Sequence, residues 1–347
     1  GAAVRLAGPS GQGQYRHPMS RTSKIRATLR RKAADALSGR MGPHAQKLAW
    51  AAAPLHPVLR AARQAKKGHI RAALQMLGHG RRRAAEAVRL KERLADMAAF
   101  CDRRSDLAAP GATVEPRRRA AFNGRVLYAL HSCGAFDPSG YASRSVALIT
   151  AAKAQGVEPI ITTRPGYPWD LAHHVDTPKQ DRVQYQGLSF ELAPDPAATL
   201  RDPETRYIDA YAQRLQALAS AHGASVIHAA SNFLNGAAAA IAGRAMGVAS
   251  IYEVRGLWHL TRAFAEPGYA LTDHYRYCEK RELAACAEVD HVVTLSGGLR
   301  QWLVERGIPA GKISIVGNAA PARGATTPET DAQVLAVRAR HRIPASA

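Results

Sequence analysis

Hydrophobic and polar positions change their pattern near residue 124. From there on, short apolar runs alternate with longer stretches of helical periodicity. Apolar runs bounded by Gly or Asp predict buried strands, and strands alternating with helices predict a doubly wound parallel sheet. The predicted strands are 126–130, 157–163, 225–230, 248–254, 291–296 and 312–318, with a hairpin at 183–192 that turns at Gly187.

The stretches between these strands have the composition and spacing of helices. Ser231 or Asn232 is expected to cap one of them, because short polar side chains satisfy free N–H groups at a helix start. The other helices are predicted at 142–155, 204–222, 269–287, from about 297 to 306, and at 330–340. The fold class is therefore α/β, with a single Rossmann-like sheet at 124–320 and a loop and helix at 321–347.

The first part of the chain has a different character. Residues 1–20 are rich in Gly, Gln and Pro and are expected to be disordered. Residues 21–107 are rich in Ala, Arg, Leu and Lys, which predicts a basic helical extension. Its clearest helix is 81–100, with Leu90, Leu94 and Met97 on one face. Residues 108–123, with two Pro, a Gly and three successive Arg, are predicted to be a linker.

Charge follows the same division. The net charge is +21, and residues 1–125 hold 27 basic and 7 acidic side chains against 21 and 20 in the remainder. Such asymmetry favours an anionic partner, either a membrane surface or a nucleic acid, although an Arg-rich solvated helical surface would look the same. The N-terminal part has few aromatic residues and no recognised nucleic-acid motif, which disfavours nucleic acid.

Composition also excludes several classes of protein. There is no uncharged apolar run of about 18 residues, so no transmembrane helix is expected. The four cysteines form no CxxC pair, and no HExxH motif or P-loop occurs, so we expect neither a metal nor a cofactor. His173 and His174 are expected to be solvated. Unpaired cysteines favour a reducing cytosol. The expected location is therefore the cytoplasm, with peripheral attachment to the inner face of the membrane as an additional expectation.

Candidate chemistry lies where strands end, because these loops share one edge of a parallel sheet. After the first strand, Gly140 would allow close approach of a ligand, with Tyr141 and Arg144 beside it. After the second strand come Arg164, Tyr167 and Asp170, an Arg, an aromatic ring and a carboxylate of the kind that bind hydroxyl-rich ligands. The alternative for this loop is a surface loop stiffened by Pro.

The sharpest candidate is SIYEVRGLWHLTR at 250–262. An apolar run stops abruptly at charged and aromatic residues, which indicates a strand entering a site; these residues are Glu253, Arg255, Trp258 and His259. Asn232 belongs to the neighbouring loop. A structural Glu–Arg pair with a packed Trp is the alternative interpretation.

Together these motifs resemble the N-terminal half of a family 4 glycosyltransferase of GT-B fold. The resemblance rests on SGYASRSVALITAAKAQGVEPIITTRPGYPWD, VIHAASNFLNGAAAAIAGRAMGVASIYEVRGLW, YRYCEKRELAACAEVDHVVTLSGGLRQWL and GIPAGKISIVGNA, in that order. It covers a little over half of the chain.

The resemblance implies a retaining transferase that moves a sugar from a nucleotide sugar to a glycan or lipid-linked acceptor, as in polysaccharide biosynthesis. The N-terminal domain would hold the acceptor, with Gly140 near the donor phosphates and Glu253 and Arg255 orienting acceptor hydroxyls. Ser296 would lie at the rear of the cleft and Asn318 at the crossover to a second domain. Glu253 and Arg255 stand near the place where many members of the resembled family have a His in the loop after the strand.

The second, nucleotide-binding domain has no counterpart in this sequence, which predicts a truncated hexosyltransferase that is inactive alone. The alternative function is a non-catalytic sugar-binding or adaptor module with a basic segment for an anionic membrane or a nucleic acid.

Overall fold

An eight-stranded sheet organises the computed structural model, which describes residues 57–78, 85–103, 119–194, 203–319 and 328–344. Its spatial order is β3-β4-β2-β1-β5-β6-β7-β8, and every pair is parallel except the β3–β4 hairpin. The strands are β1 (Arg125–Leu130), β2 (Glu158–Thr163), β3 (Arg182–Tyr185), β4 (Leu188–Glu191), β5 (Val226–Ala230), β6 (Ala249–Val254), β7 (His291–Thr294) and β8 (Ile313–Ile315). The predicted doubly wound α/β sheet is confirmed.

Helices cover both faces of this sheet. The described helices are α1 (Pro57–Lys66), α2 (Ile70–Gly78), α3 (Ala85–Asp102), α4 (Gly140–Ala154), α5 (Glu204–His222), α6 (Phe233–Met246), α7 (Trp258–Ala265), α8 (Asp273–Glu288), α9 (Gly297–Glu305) and α10 (Pro328–Arg340). Side chains alternate along β1, so Leu127 joins the core beneath α5 and α6, whereas Tyr128 joins the core beneath α4. None of the described helices has the length and hydropathy needed to cross a membrane.

The N-terminal helices form an additional layer on the α5–α8 side. Leu90, Leu94 and Met97 of α3, which the sequence placed on one helical face, are buried and belong to the same apolar core as the sheet. Helix α3 packs against α8 and α5, and α2 packs against α3. The described helices of the basic extension are thus part of the domain's core.

Several predicted segments, including residues 21–56 of the basic extension and the loop at 321–327, lie wholly or partly outside the described residues. The disorder expected for 1–20 is among them, as is most of the linker at 108–123. The described end of that linker is anchored: Arg119 Nη2 lies 2.7 Å from Asp290 Oδ1, and the Ala120 N–H donates to the Gly247 carbonyl at 2.9 Å.

One element was not predicted and one begins later than predicted. Residues 258–265 form α7, whereas the sequence suggested a loop there. The helix predicted at 269–287 divides into a 3-10 turn at Tyr269–Leu271 and α8 from Asp273, because Thr272 caps α8 by accepting the Tyr275 N–H at 3.3 Å.

Candidate functional site

The candidate site lies at the carboxyl edge of the sheet, beside its switch point. Strand β1 lies between β2 and β5, so successive crossovers leave it in opposite directions. Ligands of open α/β sheets bind in the crevice that this reversal creates. Helix α4 begins there, where Ser139 Oγ accepts the Ala142 N–H at 3.3 Å and Gly140 faces open space.

A buried charged group occupies this edge, and we call it the Glu253 cluster: Glu253, Arg144, Arg255 and His228. The register of β5 with β6 puts Glu253 on the α4 face of the sheet, where only 1% of the residue is exposed. Arg144 Nε donates to Glu253 Oε1 at 2.7 Å. Arg255 donates to Oε2 through Nε at 2.9 Å and through Nη2 at 2.7 Å.

The surroundings of Glu253 keep it ionised. Burial opposes ionisation, but the imidazole of His228 and the positive charge of Arg255 outweigh it and hold the pKa of Glu253 well below its usual range. His228 Nε2 lies 3.7 Å from Oε2, too far for a hydrogen bond but near enough for an electrostatic contact. The two guanidinium groups and one carboxylate leave the cluster with a net positive charge.

Arg144 also ties the cluster to the segment that follows β8. Its Nη2 donates to the Val316 carbonyl at 2.8 Å, and its Nη1 donates to the Gly317 carbonyl and to Asn318 Oδ1, each at 3.0 Å. Asn318, predicted to lie at a crossover, is therefore in direct contact with the cluster.

Arg255 is held by the first turn of α4 and by the β5 loop. Its Nη1 donates to the Tyr141 carbonyl at 2.8 Å and to Ser145 Oγ at 2.7 Å. Its backbone N–H donates to Ser231 Oγ at 2.8 Å. Only 5% of the Arg255 side chain is exposed, which agrees with the structural alternative weighed for the Glu–Arg pair.

An aromatic rim, formed by Tyr141, Trp258 and His131, lies beside the cluster. Trp258 Nε1 donates to Tyr141 Oη at 2.9 Å, and the two rings meet edge to face. The His131 ring lies 4.9 Å from the Trp258 ring, again edge to face. Trp258 remains 39% exposed, so the rim presents an aromatic surface to solvent at the mouth of the site.

The loop after β2 turns inward instead of toward a ligand. Arg164 and Asp170 form a buried ion pair, and Tyr167 is completely buried. Tyr167 Oη donates to the Cys133 carbonyl at 2.9 Å, and burial raises the pKa of this phenol. These three predicted site residues thus hold the loop in place and offer little surface to a ligand.

The remaining predicted residues are dispersed. His259 is buried between the rings of Tyr275 and Trp302, and burial lowers its pKa to about 4. Asn232 occupies the cap position of α6 without a side-chain capping bond. Ser296 caps α9, accepting the Leu299 N–H at 3.2 Å.

Sequence reasoning gave too little weight to two members of this region. His228 was not among the predicted site residues, yet it faces Glu253; its position two residues before the end of a strand adjacent to β6 was the available signal. Ser145 was not singled out, although it lies one helical turn after Tyr141 on the same face.

A second polar group lies between the loops after β1 and β2. Asp137, His173 and His174 have ligand atoms within 4.8 Å of one another, a grouping that could hold a metal ion. His173 is exposed as predicted, but His174 is only partly so, with its ring nitrogens 3.1 Å from Thr177 Oγ1 and 3.2 Å from the Phe136 carbonyl.

A model of the glycosyl transferase 4-like domain matches residues 139–319, just over half of the chain. The chain belongs to this family. The match begins at the cap of α4 and ends one residue after Asn318, so it spans the whole Glu253 cluster. A comparison with curated proteins found no match to this glycosyl transferase 4-like chain.

Solved structures similar to the chain include two proteins from Rickettsia. A UDP-N-acetylglucosamine 2-epimerase from Rickettsia bellii is 12% identical with a TM-score of 0.37, over 62% of this chain and 48% of that one. A glycosyltransferase from Rickettsia africae is 14% identical with a TM-score of 0.35, over 64% of this chain and 50% of that one. The glycosyl transferase 4-like chain thus spans about half the length of these proteins.

Proposed function

We propose that this chain is the acceptor-binding half of a retaining glycosyltransferase. The complete enzyme would transfer a hexose from a nucleotide sugar to a glycan or lipid-linked acceptor in polysaccharide biosynthesis. The observation that carries the proposal is the family match, whose residues include the Glu253 cluster and two of the three rim residues. The switch-point crevice beside them is where α/β sheets receive ligands.

The acceptor would contact the aromatic rim. Aromatic rings suit the apolar faces of sugars, and the exposed part of Trp258 is available for such contact. The Glu253 cluster would act behind the rim by fixing Tyr141, since Arg255 binds the Tyr141 carbonyl. This assigns Glu253 and Arg255 a positioning role instead of the direct hydroxyl contact expected from sequence.

The negatively charged phosphates of the donor would meet positive charge at the same edge of the sheet. Arg144 and Arg255 exceed Glu253 by one charge, and the first turn of α4 presents backbone N–H groups near Gly140. A second domain would bind the nucleotide, so we propose that this chain alone does not catalyse transfer. We further propose that no metal or other cofactor is required, and that the protein works at a membrane surface.

A transferase assay separates these proposals. The full gene product would be incubated with labelled UDP- and GDP-sugars and with glycan or lipid-linked acceptors, and the product's anomeric configuration read by NMR. We expect transfer with retention, unchanged by EDTA, and none from the 347-residue chain. Loss of activity in EDTA would contradict the metal-free proposal and direct attention to Asp137 and His173. Sugar binding without transfer by the full product would instead support the adaptor module.

A further inference from the structure

Two large apolar side chains near the C-terminal end of α7 are almost fully exposed to solvent. Phe264 is 96% exposed and Leu271, in the adjacent 3-10 turn, is 84% exposed, the highest values for large hydrophobic side chains among the described residues. The two elements pack together, and the Arg262 guanidinium lies 4.1 Å from the Tyr269 ring centre between them. The packing of the two elements places both side chains in the same region of the surface, and contiguous exposed apolar surface is typical of protein or membrane interaction sites.

Basic residues border this pair. The turn between α1 and α2 is fastened to the same loop: Arg262 Nη2 donates to the Lys66 carbonyl at 2.7 Å, and the His274 N–H donates to the Gly68 carbonyl at 3.0 Å. Gly68 has a φ of +95°, and a Cβ there would lie 2.5 Å from Thr272 Oγ1, so only glycine allows this contact.

The charge beside the turn is strongly one-sided. Residues 57–78 contain five basic side chains and no acidic one; the five are Arg60, Arg63, Lys66, Lys67 and Arg71. Of the nearby carboxylates, Glu266 pairs with Arg262 and is also attracted by Lys66, and Asp273 and Asp102 both pair with Arg71. We call the surface formed by Phe264, Leu271, Lys66 and Lys67 the Phe264 patch.

We propose that the Phe264 patch docks the protein on an anionic lipid bilayer. Interfacial anchors combine apolar side chains that enter the acyl boundary with Lys and Arg that meet anionic headgroups. A second copy of this chain would bring the five basic side chains against their own kind, so charge complementarity favours the bilayer. The inference rests on the proposed function: α7 runs from Trp258 at the rim to Phe264 at the patch, so docking would bring a lipid-linked acceptor to the site.

Vesicle sedimentation with the 347-residue chain tests the proposal. The probes are phosphatidylcholine vesicles with and without 30% phosphatidylglycerol, at about 50 mM and 500 mM salt. We expect preferential binding to the anionic vesicles that weakens at high salt, because salt screens exposed charges. The F264S/L271S variant should bind at least about tenfold more weakly, and K66E/K67E should lose the preference for anionic vesicles.

Matched controls change exposed residues elsewhere. F122S/L335S removes two exposed apolar side chains, and K153E/R340E reverses two exposed charges; both should bind as the wild type does. Circular dichroism verifies that all variants fold.

The proposal is overturned if the wild type binds no anionic vesicles, or if F264S/L271S binds them as well as the wild type. It is also overturned if the wild type is a dimer that F264S/L271S dissociates, with no vesicle binding. Because none of these readouts uses transferase activity, failure here is distinguishable from failure of the proposed transferase function. That function fails when the full product neither transfers nor binds sugar while vesicle binding persists.

Discussion

Glu253 shows how a residue's partners decide its role. Both of its carboxylate oxygens accept hydrogen bonds from arginines, and the residue is buried. A carboxylate in this state supports its neighbours and has little capacity left for a ligand. Under the proposed function, contact with an acceptor would therefore fall to the exposed residues of the rim, above all Trp258.

Replacing Glu253 by Gln should destabilise the protein strongly. The change leaves Arg144 and Arg255 buried without a counter-charge, which costs about 3–5 kcal/mol in the free energy of unfolding. Urea denaturation at pH 7 measures this loss. The control is Glu158→Gln, which removes an exposed partner of Arg125 and should cost about 1 kcal/mol or less.

The same variant tests the pKa of Glu253. Because the folded protein lowers this pKa, its contribution to stability is present above the ordinary pKa of about 4.3 and is lost as pH falls below that value. The stability difference between wild type and E253Q should therefore shrink when urea denaturation is repeated at pH 3. A constant difference from pH 7 to pH 3 would show that Glu253 is not held ionised by the fold.

Trp258→Ala should weaken acceptor binding with little loss of stability. The ring is partly exposed, and loss of one aromatic–sugar contact should raise the acceptor KM about tenfold while kcat changes little. Steady-state kinetics of the full gene product measures this. Phe122→Ala, an exposed aromatic residue outside the site, is the control. An unchanged KM would exclude Trp258 from the acceptor site.

At the scale of elements, the sequence was sufficient for the sheet and insufficient for the site. Apolar runs marked the central strands β1, β2, β5, β6 and β7 because each of these is buried on at least one face, and Gly187 marked the β3–β4 turn. Helix α7 escaped detection because only one of its eight residues, His259, is buried, so no apolar periodicity revealed it. The inward orientation of Arg164 and Asp170 was also hidden, since a buried ion pair and an exposed one have the same sequence.

Helix α8 offers a test of how burial shifts the pKa of a carboxylate. Glu282 faces Tyr252, with Tyr252 Oη 2.5 Å from its Oε1, and burial raises the pKa of Glu282 to about 7. Because the folded pKa exceeds the unfolded one, this group's stabilising contribution is complete below about pH 4.3 and is lost as pH rises to 7.

Glu282→Gln should therefore gain stability relative to the wild type as pH rises from 5 to 8, because Gln resembles the protonated acid at every pH. Thermal melts at pH 5 and pH 8 measure the change. Glu279→Gln, on the same helix but paired with Arg306, should not gain stability in this way. A wild-type advantage that grows toward pH 8 would contradict the assignment.

The whole molecule extends beyond the family domain, because α1 to α3 share its core. Leu94 of α3 is 2% exposed and belongs to the same apolar cluster as α5, α6 and α8. Neither the pattern of this helix nor its charge could show what it packs against, since an amphipathic face is equally suited to a partner, a membrane or its own domain.

Leu94→Ala should cost about 2–5 kcal/mol and lower a single cooperative unfolding transition. Calorimetry measures both quantities. Leu335→Ala, at an exposed position of α10, should change the free energy of unfolding by about 0.5 kcal/mol or less. Two separate transitions in L94A, with only the smaller one displaced, would indicate that the N-terminal helices unfold as an independent unit.

Arg144 has a mechanical consequence for the molecule. Strand β8 is a three-residue edge strand held by one neighbour, the arrangement most easily peeled from a sheet. Arg144 donates hydrogen bonds both to residues 316–318 and to Glu253. It therefore links this weakly held edge strand to the interior strand β6. Force applied to the chain beyond Asn318 would therefore be transmitted to the middle of the sheet and to the Glu253 cluster.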